Sequence, residues 1–390
     1  MQRILFIFGT RPEAIKLCPV IHHLRQRAGE FDVRVCVTAQ HRSMLDQVLE
    51  AFAVRPDFDL DLMRPRQTLA QLTSRILAAL EPVFEAAAPD MAIVQGDTTT
   101  TLAGAMAAFY LGVPVGHVEA GLRTGDLTQP FPEEMNRVVA GRLASLHFAP
   151  TEGARRNLLE EGVAEDGIAV TGNSGIDAVL FVRDALAGGR LRSGDWPWLD
   201  PARRLVLVTA HRRESFGEGM ERICAAIAGL AARGDVQIVY PVHRNPNVLE
   251  CVTRRLGGQA GVVLLEPLEY VAFVDLMRRA YLLITDSGGI QEEGPSLGKP
   301  VLVLREKTER PEAVEAGTVK LVGTATGRIV AEATCLLEDR AEYERMCRVH
   351  NPYGDGHASK RIAEAIRAFG CAPAGPRPAA RAKTESVPQR

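Results

Sequence analysis

The chain has 390 residues, of which 46% are hydrophobic and 24% charged, with a formal net charge of -2. That is too long for one compact core and suits two domains of ordinary size. No block of like charges marks a nucleic-acid groove or a membrane-surface helix, so the expected partner is a small molecule. The seven cysteines form no CxxC pair and are too scattered for a zinc or redox motif; reduced, mostly buried thiols are the expectation. No run approaches the roughly 18 apolar residues of a membrane span. The opening MQRILFIFGTRPE reads as a folded strand, turn and helix rather than a cleavable signal, which implies a cytoplasmic protein.

In chain order, short β-rich runs (ILFIF, DVRVCVT, MAIVQ, VPVGHVE, SLHFAP, IAVTG) alternate with helical periodicity such as Leu69 to Ala87 and Thr99 to Tyr110. The pattern predicts a parallel sheet wrapped by helices over residues 1–175. Residues 176–202 contain GGRLRSGDWPWLDP and read as the connection between domains. A second alternation, LVLVTAH, VQIVYPVH, VVLLEP, YLLITDS and PVLVLR, predicts another such domain over 203–357, then a helix over 358–369 that suits either domain. The tail, 370–390, has almost nothing to bury and is expected to be disordered. The fold class is therefore α/β, with two doubly wound, Rossmann-like domains facing a central cleft. Ligands of such sheets bind beyond the carboxyl ends of the strands, which directs attention to residues just after them.

The first strand ends in GTRPEAIK, where Thr10 suits a cap, Pro12 the first helical turn, and Arg11 and Lys16 follow. An anion site at a helix start and a capped helix with two solvated cations fit this motif equally. The GxGxxG fingerprint is absent, which argues against a classical NAD site. QGDTTTT puts Asp97 at a strand end, as a helix cap or a functional carboxylate. Glu119, in HVEAGLRTGD, ends an apolar strand where a purely structural carboxylate would suffer desolvation. Glu133 and Glu134 open a helix, whose positive end favours acids, and Arg137 shares a face with Glu133. In the second half, His211, Arg212 and Arg213 follow a strand and suit a phosphate. Ser287, Gly288 and Gly289 let backbone amides approach a diphosphate at a helix start. Glu293, one turn on, can reach ribose hydroxyls, whereas Glu292 reads as part of a solvated face.

GTRPEAIK, VTAQHR, QGDTTTT, HVEAGLRTGD, PEEMNR, GNSGIDA, TAHRRE, YPVHRNPN, TDSGGIQEE, ERPEAVEAGT and NPYGDG together resemble the non-hydrolysing UDP-N-acetylglucosamine 2-epimerases, in that family's order from Gly9 to Gly356. The resemblance implies the glycosyltransferase-B architecture, a homodimer, UDP-N-acetylglucosamine as substrate, and neither metal nor cofactor. By similarity, Asp97, Glu119 and Glu133 are the catalytic carboxylates and His211 the essential histidine. Arg11, Lys16 and Arg137 line the sugar and phosphate site, and Ser287, Gly288, Gly289, Glu293 and Arg310 bind UDP. Family members are often activated by a second substrate molecule, and Gln40, Arg66, Glu134 and His243 resemble that site. Gly294 stands where the family more often has alanine.

The sugar's carbon 2 hydrogen is not next to a carbonyl, so simple proton abstraction and return faces a prohibitive barrier. Elimination of UDP to a glycal-type intermediate, followed by re-addition, avoids it and needs an acid and a base. Which of the three carboxylates takes which proton is open. Domain closure with hinge motion near residues 170 to 200 is expected to retain the intermediate. A glycosyltransferase of the same fold, a hydrolysing epimerase releasing N-acetylmannosamine, and a non-catalytic UDP-sugar sensor are the rival readings.

Overall fold

The computed structural model describes residues 1–38, 42–308, 310–348 and 351–371, without the side chains of Arg42, Ser43 and Cys371. It divides into two units, Met1–Ala178 with residues 356–371, and Val179–Asp355.

In the first unit the order is β1 (Gln2–Phe8), α1 (Arg11–Arg25), β2 (Phe31–Val37), α2 (Arg42–Ala51), β3 (Phe58–Asp59), α3 (Leu69–Ala87) and β4 (Met91–Gln95). It continues through α4 (Thr99–Tyr110), β5 (Val115–Val118), α5 (Glu133–Leu143), β6 (Leu146–Ala149), α6 (Glu152–Glu160), β7 (Ile168–Val170) and α7 (Ser174–Ala187), which runs on past the unit boundary. The strands form a seven-stranded sheet in the order β3-β2-β1-β4-β5-β6-β7, every pair parallel.

The second unit contains β8 (Arg204–Thr209), α8 (Glu218–Ala231), β9 (Val236–Pro241), α9 (Pro246–Leu256), β10 (Val262–Leu265), α10 (Tyr270–Arg279) and β11 (Leu282–Thr285). After these come α11 (Gly288–Ser296), β12 (Val301–Val303), α12 (Pro311–Glu315), β13 (Val319–Leu321), α13 (Thr326–Glu338) and α14 (Arg340–Arg348). Its six-stranded parallel sheet has the order β10-β9-β8-β11-β12-β13. The doubly wound α/β expectation is met in both units. Only β3 and β13, two and three residues long, carried too little pattern to be read beforehand.

The central strands are apolar on both faces because helices cover both: Ile4 to Phe8 and Met91 to Val94 are all buried. Helix α3 shows the complementary logic, burying Leu72, Ile76, Leu80, Val83 and Phe84 at helical spacing, each contributing roughly 1.5–3 kcal/mol of apolar burial. The final helix, α15 (Ala358–Cys371), belongs to the first unit. Asp177 caps it, accepting from the amides of Ala358 at 3.2 Å and Ser359 at 2.8 Å. The expected connection is no loose link either. Ser193 and Trp196 donate to the buried Asp275 carboxylate at 2.6 and 2.9 Å, and Gln237 bonds the backbone of Trp198 and Asp200, anchoring this stretch in the second unit. Among the described residues six cysteines are free thiols, four of them buried. No helix among those residues is long and apolar enough to cross a membrane.

Candidate active site

In each sheet the strand order reverses at one point, between β1 and β4 in the first unit and between β8 and β11 in the second. Turns at the carboxyl ends of such strand pairs diverge and leave a crevice for ligands. Of the residues singled out from the sequence, Asp97, His211, Arg212 and Ser287 fall on these turns, whereas Glu119 follows β5 and Glu133 and Arg137 lie in α5.

In the first unit Asp97 follows β4, and its carboxylate meets the Arg137 guanidinium at 2.7 Å. Burial pushes the Asp97 carboxyl up from its ordinary value; Arg137 pulls it back, Glu119 pushes it up again, and Lys16 and Glu133 act more weakly in opposite senses. The mutual influence marks these five groups as one electrostatic cluster. The turn bearing Asp97 is held by neighbours: His117 bonds the Gly96 carbonyl at 2.7 Å, and the Asn136 amide donates to the Asp97 carbonyl at 2.8 Å. Glu119 follows β5 with φ of 64°, a left-handed conformation seldom taken by a residue with a side chain. Its carboxylate pairs with Lys16 and accepts from the Gln95 amide at 2.9 Å. The side chains of Arg11 and Glu133 are half-buried and make no hydrogen bond or ion pair among the described residues.

Arg137, on the same helix as Glu133, pairs with Asp97 and, at 3.4 Å, Glu134. Glu134 is buried and accepts from the amides of Thr124 at 2.9 Å and Gly125 at 3.1 Å, tying down the loop after Glu119. Two side chains went unremarked in the sequence. Glu13 is buried beneath the β1 turn, a position that the T-x-x-E capping-box spacing from Thr10 signals. His117 is buried with its pKa depressed to about 3 by desolvation, so it is neutral.

In the second unit, the amides of His211 and Arg212 donate to Asp286 Oδ2 at 2.6 and 2.7 Å. His211 Nδ1 lies 3.2 Å from Asp286 Oδ1, within pairing distance though off the line of a good hydrogen bond. Burial lowers the His211 pKa, against the pull of Asp286 and with the help of His243 and Arg212, so the ring is neutral at pH 7. Asp286 is a further candidate residue that sequence reasoning passed over; only its place directly after β11 signalled it.

Ser287 precedes α11, and Gly288 and Gly289 open it. A Cβ at 288 would run into the Arg310 guanidinium, its Cζ 2.5 Å away, so a side chain there would displace that group. Arg310 Nε donates to Glu292 Oε1 at 2.6 Å. Glu292 is 8% exposed, which corrects its reading as a solvated side chain. The charge tolerates burial because Arg310 neutralises it. Glu293 faces the Tyr270 hydroxyl, which is withdrawn from solvent. Gly294 is also explained: a Cβ would sit 2.8 Å from both Leu283 and Val301, leaving no room for alanine.

Of the residues likened to an activator site, Gln40 lies outside the described residues. Arg66 is exposed, with φ of 57°, and His243 is exposed with its ring stacked on that of His211 at 5.3 Å and 13°. Among the described residues no group of three or more His, Cys, Asp and Glu is placed to hold a metal ion.

Two parallel sheets, one with carboxylates and cations after its strands and on the helices that follow, and the other with a glycine-opened helix and an arginine, define an α/β enzyme of the glycosyltransferase-B type. The chain belongs to the UDP-N-acetylglucosamine 2-epimerase family, whose profile matches residues 22–367. The UDP-N-acetylglucosamine 2-epimerase of Escherichia coli K12 is 58% identical over 371 residues, 94% of this chain and 98% of that protein. Its Bacillus subtilis counterpart is 52% identical over 368 residues, 93% of this chain and 94% of that one. Among solved structures, UDP-GlcNAc 2-epimerase from Neisseria meningitidis, bound to UDP-GlcNAc, has a TM-score of 0.84 at 48% identity, covering 93% of this chain and 99% of that one. The Methanocaldococcus jannaschii enzyme, in complex with UDP-GlcNAc and UDP, has a TM-score of 0.75 at 33% identity, with the same coverage.

Proposed function

We propose that the protein interconverts UDP-N-acetylglucosamine and UDP-N-acetylmannosamine by eliminating UDP and adding it back. The observation that carries this reading is the electrostatic cluster of Asp97 after β4, Glu119 after β5, Lys16 on α1, and Glu133 and Arg137 on α5, all in one unit. An acid and a base are needed, and unlike surroundings supply them: Asp97 is raised by burial, while Glu119 is held by Lys16 and Gln95.

In the forward direction a carboxylate takes the carbon 2 proton. The C–H electron pair forms the carbon 1–carbon 2 double bond, and the carbon 1–oxygen bond breaks with its electrons going to UDP. The intermediate is 2-acetamidoglucal. Protonation at carbon 2 from the other face and attack of UDP on carbon 1 complete the epimerisation. His211 donates to the departing diphosphate in its protonated form, which Asp286 favours, with Arg212 and the amides of Ser287, Gly288 and Gly289. Arg310 and Glu293 hold the remainder of UDP, and Arg11 the sugar-phosphate portion. A homodimeric, cytoplasmic enzyme activated by a second substrate molecule through Arg66, Glu134 and His243 completes the reading.

Incubation with UDP-N-acetylglucosamine in heavy water without added NAD tests it. The expected product is UDP-N-acetylmannosamine carrying deuterium at carbon 2. Free N-acetylmannosamine with UDP would make it a hydrolysing enzyme, and an unchanged substrate under activating concentrations would favour the transferase. Sigmoidal dependence of rate on substrate tests the activation, and light scattering the dimer.

A further inference from the structure

The Glu13 side chain has no place in the reaction just described, yet it is one of the most thoroughly bonded groups in the first unit. It is 1% exposed. Its Oε2 accepts from the amides of Gly9 at 3.0 Å and Thr10 at 2.7 Å, in the turn after β1. Its Oε1 accepts from the hydroxyls of Thr98 at 2.7 Å and Thr101 at 3.3 Å, in the turn after β4. Thr98 at the same time caps α4, accepting from the Thr101 amide at 3.1 Å.

The β1 turn is braced from its other side too. Gly9 packs so closely that a Cβ would sit 2.8 Å from Thr100 Oγ1 and run into Thr38 Oγ1, two hydroxyls that bond each other at 2.9 Å. These contacts span the point where the strand order reverses. The turns there lead into helices that diverge, so side chains must supply what holds them in register. One turn leads to Arg11 and Lys16; the other carries Asp97.

We propose that Glu13 is a positioning residue, a clamp across the switch point that sets Asp97 against the cations of α1. Its burial raises its pKa against the pull of Thr98, Thr10 and Gly9, yet the donors around it need only an acceptor, which a glutamine supplies on one side. The hydroxyls of Thr98 and Thr101 can turn to accept from the glutamine NH2. The second unit offers a parallel: Asp286, at the end of β11, accepts from two amides of the turn after β8 across the same kind of reversal.

The role in turnover rests on the epimerase reading, whereas the clamp itself does not, and the test separates them. Glu13→Ala, Glu13→Gln and Thr98→Val are compared with the parent protein by peptide-level hydrogen exchange, turnover and UDP binding. In Glu13→Ala, faster exchange is expected in both turns, residues 9–16 and 95–101, with kcat lowered about a hundredfold by misplacement. UDP affinity should be unchanged. Thr98→Val should show the same pattern more weakly, and Glu13→Gln should recover protection and most of kcat. Unchanged exchange in the 95–101 turn of Glu13→Ala and Thr98→Val would overturn the clamp. So would a Glu13→Gln protein with both turns protected but kcat as low as in the alanine variant, since the charge itself would then be what matters. If the parent protein shows no epimerisation, the reaction assignment fails while the exchange data still decide the clamp.

Discussion

Asp286 faces His211 with both carboxylate oxygens, its Oδ2 accepting the His211 amide at 2.6 Å and its Oδ1 lying 3.2 Å from the Nδ1 of the ring. With Asp286 fully buried, the carboxylate reads the orientation of the imidazole in a low-dielectric setting. Asp286→Asn would keep an acceptor for the two amides but remove the charge that favours the protonated ring. We expect kcat to fall on the order of a hundredfold or more with UDP binding little changed. Because Asp286 raises the His211 pKa, its loss should move that pKa further below the ordinary value, which NMR titration of the ring proton reads out.

Asp97→Asn removes the charge facing Arg137 without removing bulk. The first unit should stay folded, and kcat should drop by roughly 10²–10⁴ as a general acid–base group is lost. Deuterium uptake at carbon 2 should fall in step with epimerisation, while UDP affinity, measured by calorimetry, should hold. Retained deuterium uptake would remove Asp97 from the proton transfers.

Gly288→Ala pushes a Cβ into the Arg310 guanidinium. Displacing that group from the start of α11 should weaken UDP binding by roughly 10–100-fold, the worth of a charge-assisted hydrogen bond. The Arg310–Glu292 pair has some room to shift, so the thermal midpoint should fall only slightly. Calorimetry with UDP alone checks this.

His117 gives a stability prediction with a definite sign. Its pKa in the folded protein is about 3, against 6.5 when exposed. Below about pH 6.5 the unfolded chain binds a proton that the folded one refuses, so stability falls toward pH 3 at up to about 1.4 kcal/mol per pH unit. His117→Gln keeps a donor for the Gly96 carbonyl and does not titrate. Its thermal midpoint should therefore drop less than the parent's between about pH 7.5 and about pH 5; an equal drop in both proteins would place the acid sensitivity elsewhere.

Much of this was legible without coordinates, for identifiable reasons. Apolar runs bounded by turn residues located every strand of four or more residues, because buried parallel strands have no polar face to blur the pattern. Helices α3 and α4 begin where predicted because Thr68 and Thr98 cap their N-termini by local bonds. Asp97, Glu119, His211 and Ser287 stood out because they directly follow strands, and the order of their motifs carried the family resemblance.

What tertiary structure alone decided concerns partners far apart in the chain. Glu292 looked solvated because helical position says nothing of Arg310, eighteen residues on, folding back over Gly288. Arg137 chose Asp97 over Glu133 because a contact forty residues away, made in a desolvated crevice, outweighs a helical neighbour. Local periodicity and capping depend on bonds a few residues long and can be read from sequence. Which charge is buried, and which carboxylate spans two turns as Glu13 and Asp286 do, depends on strand order, and strand order is set by the packing of the whole sheet.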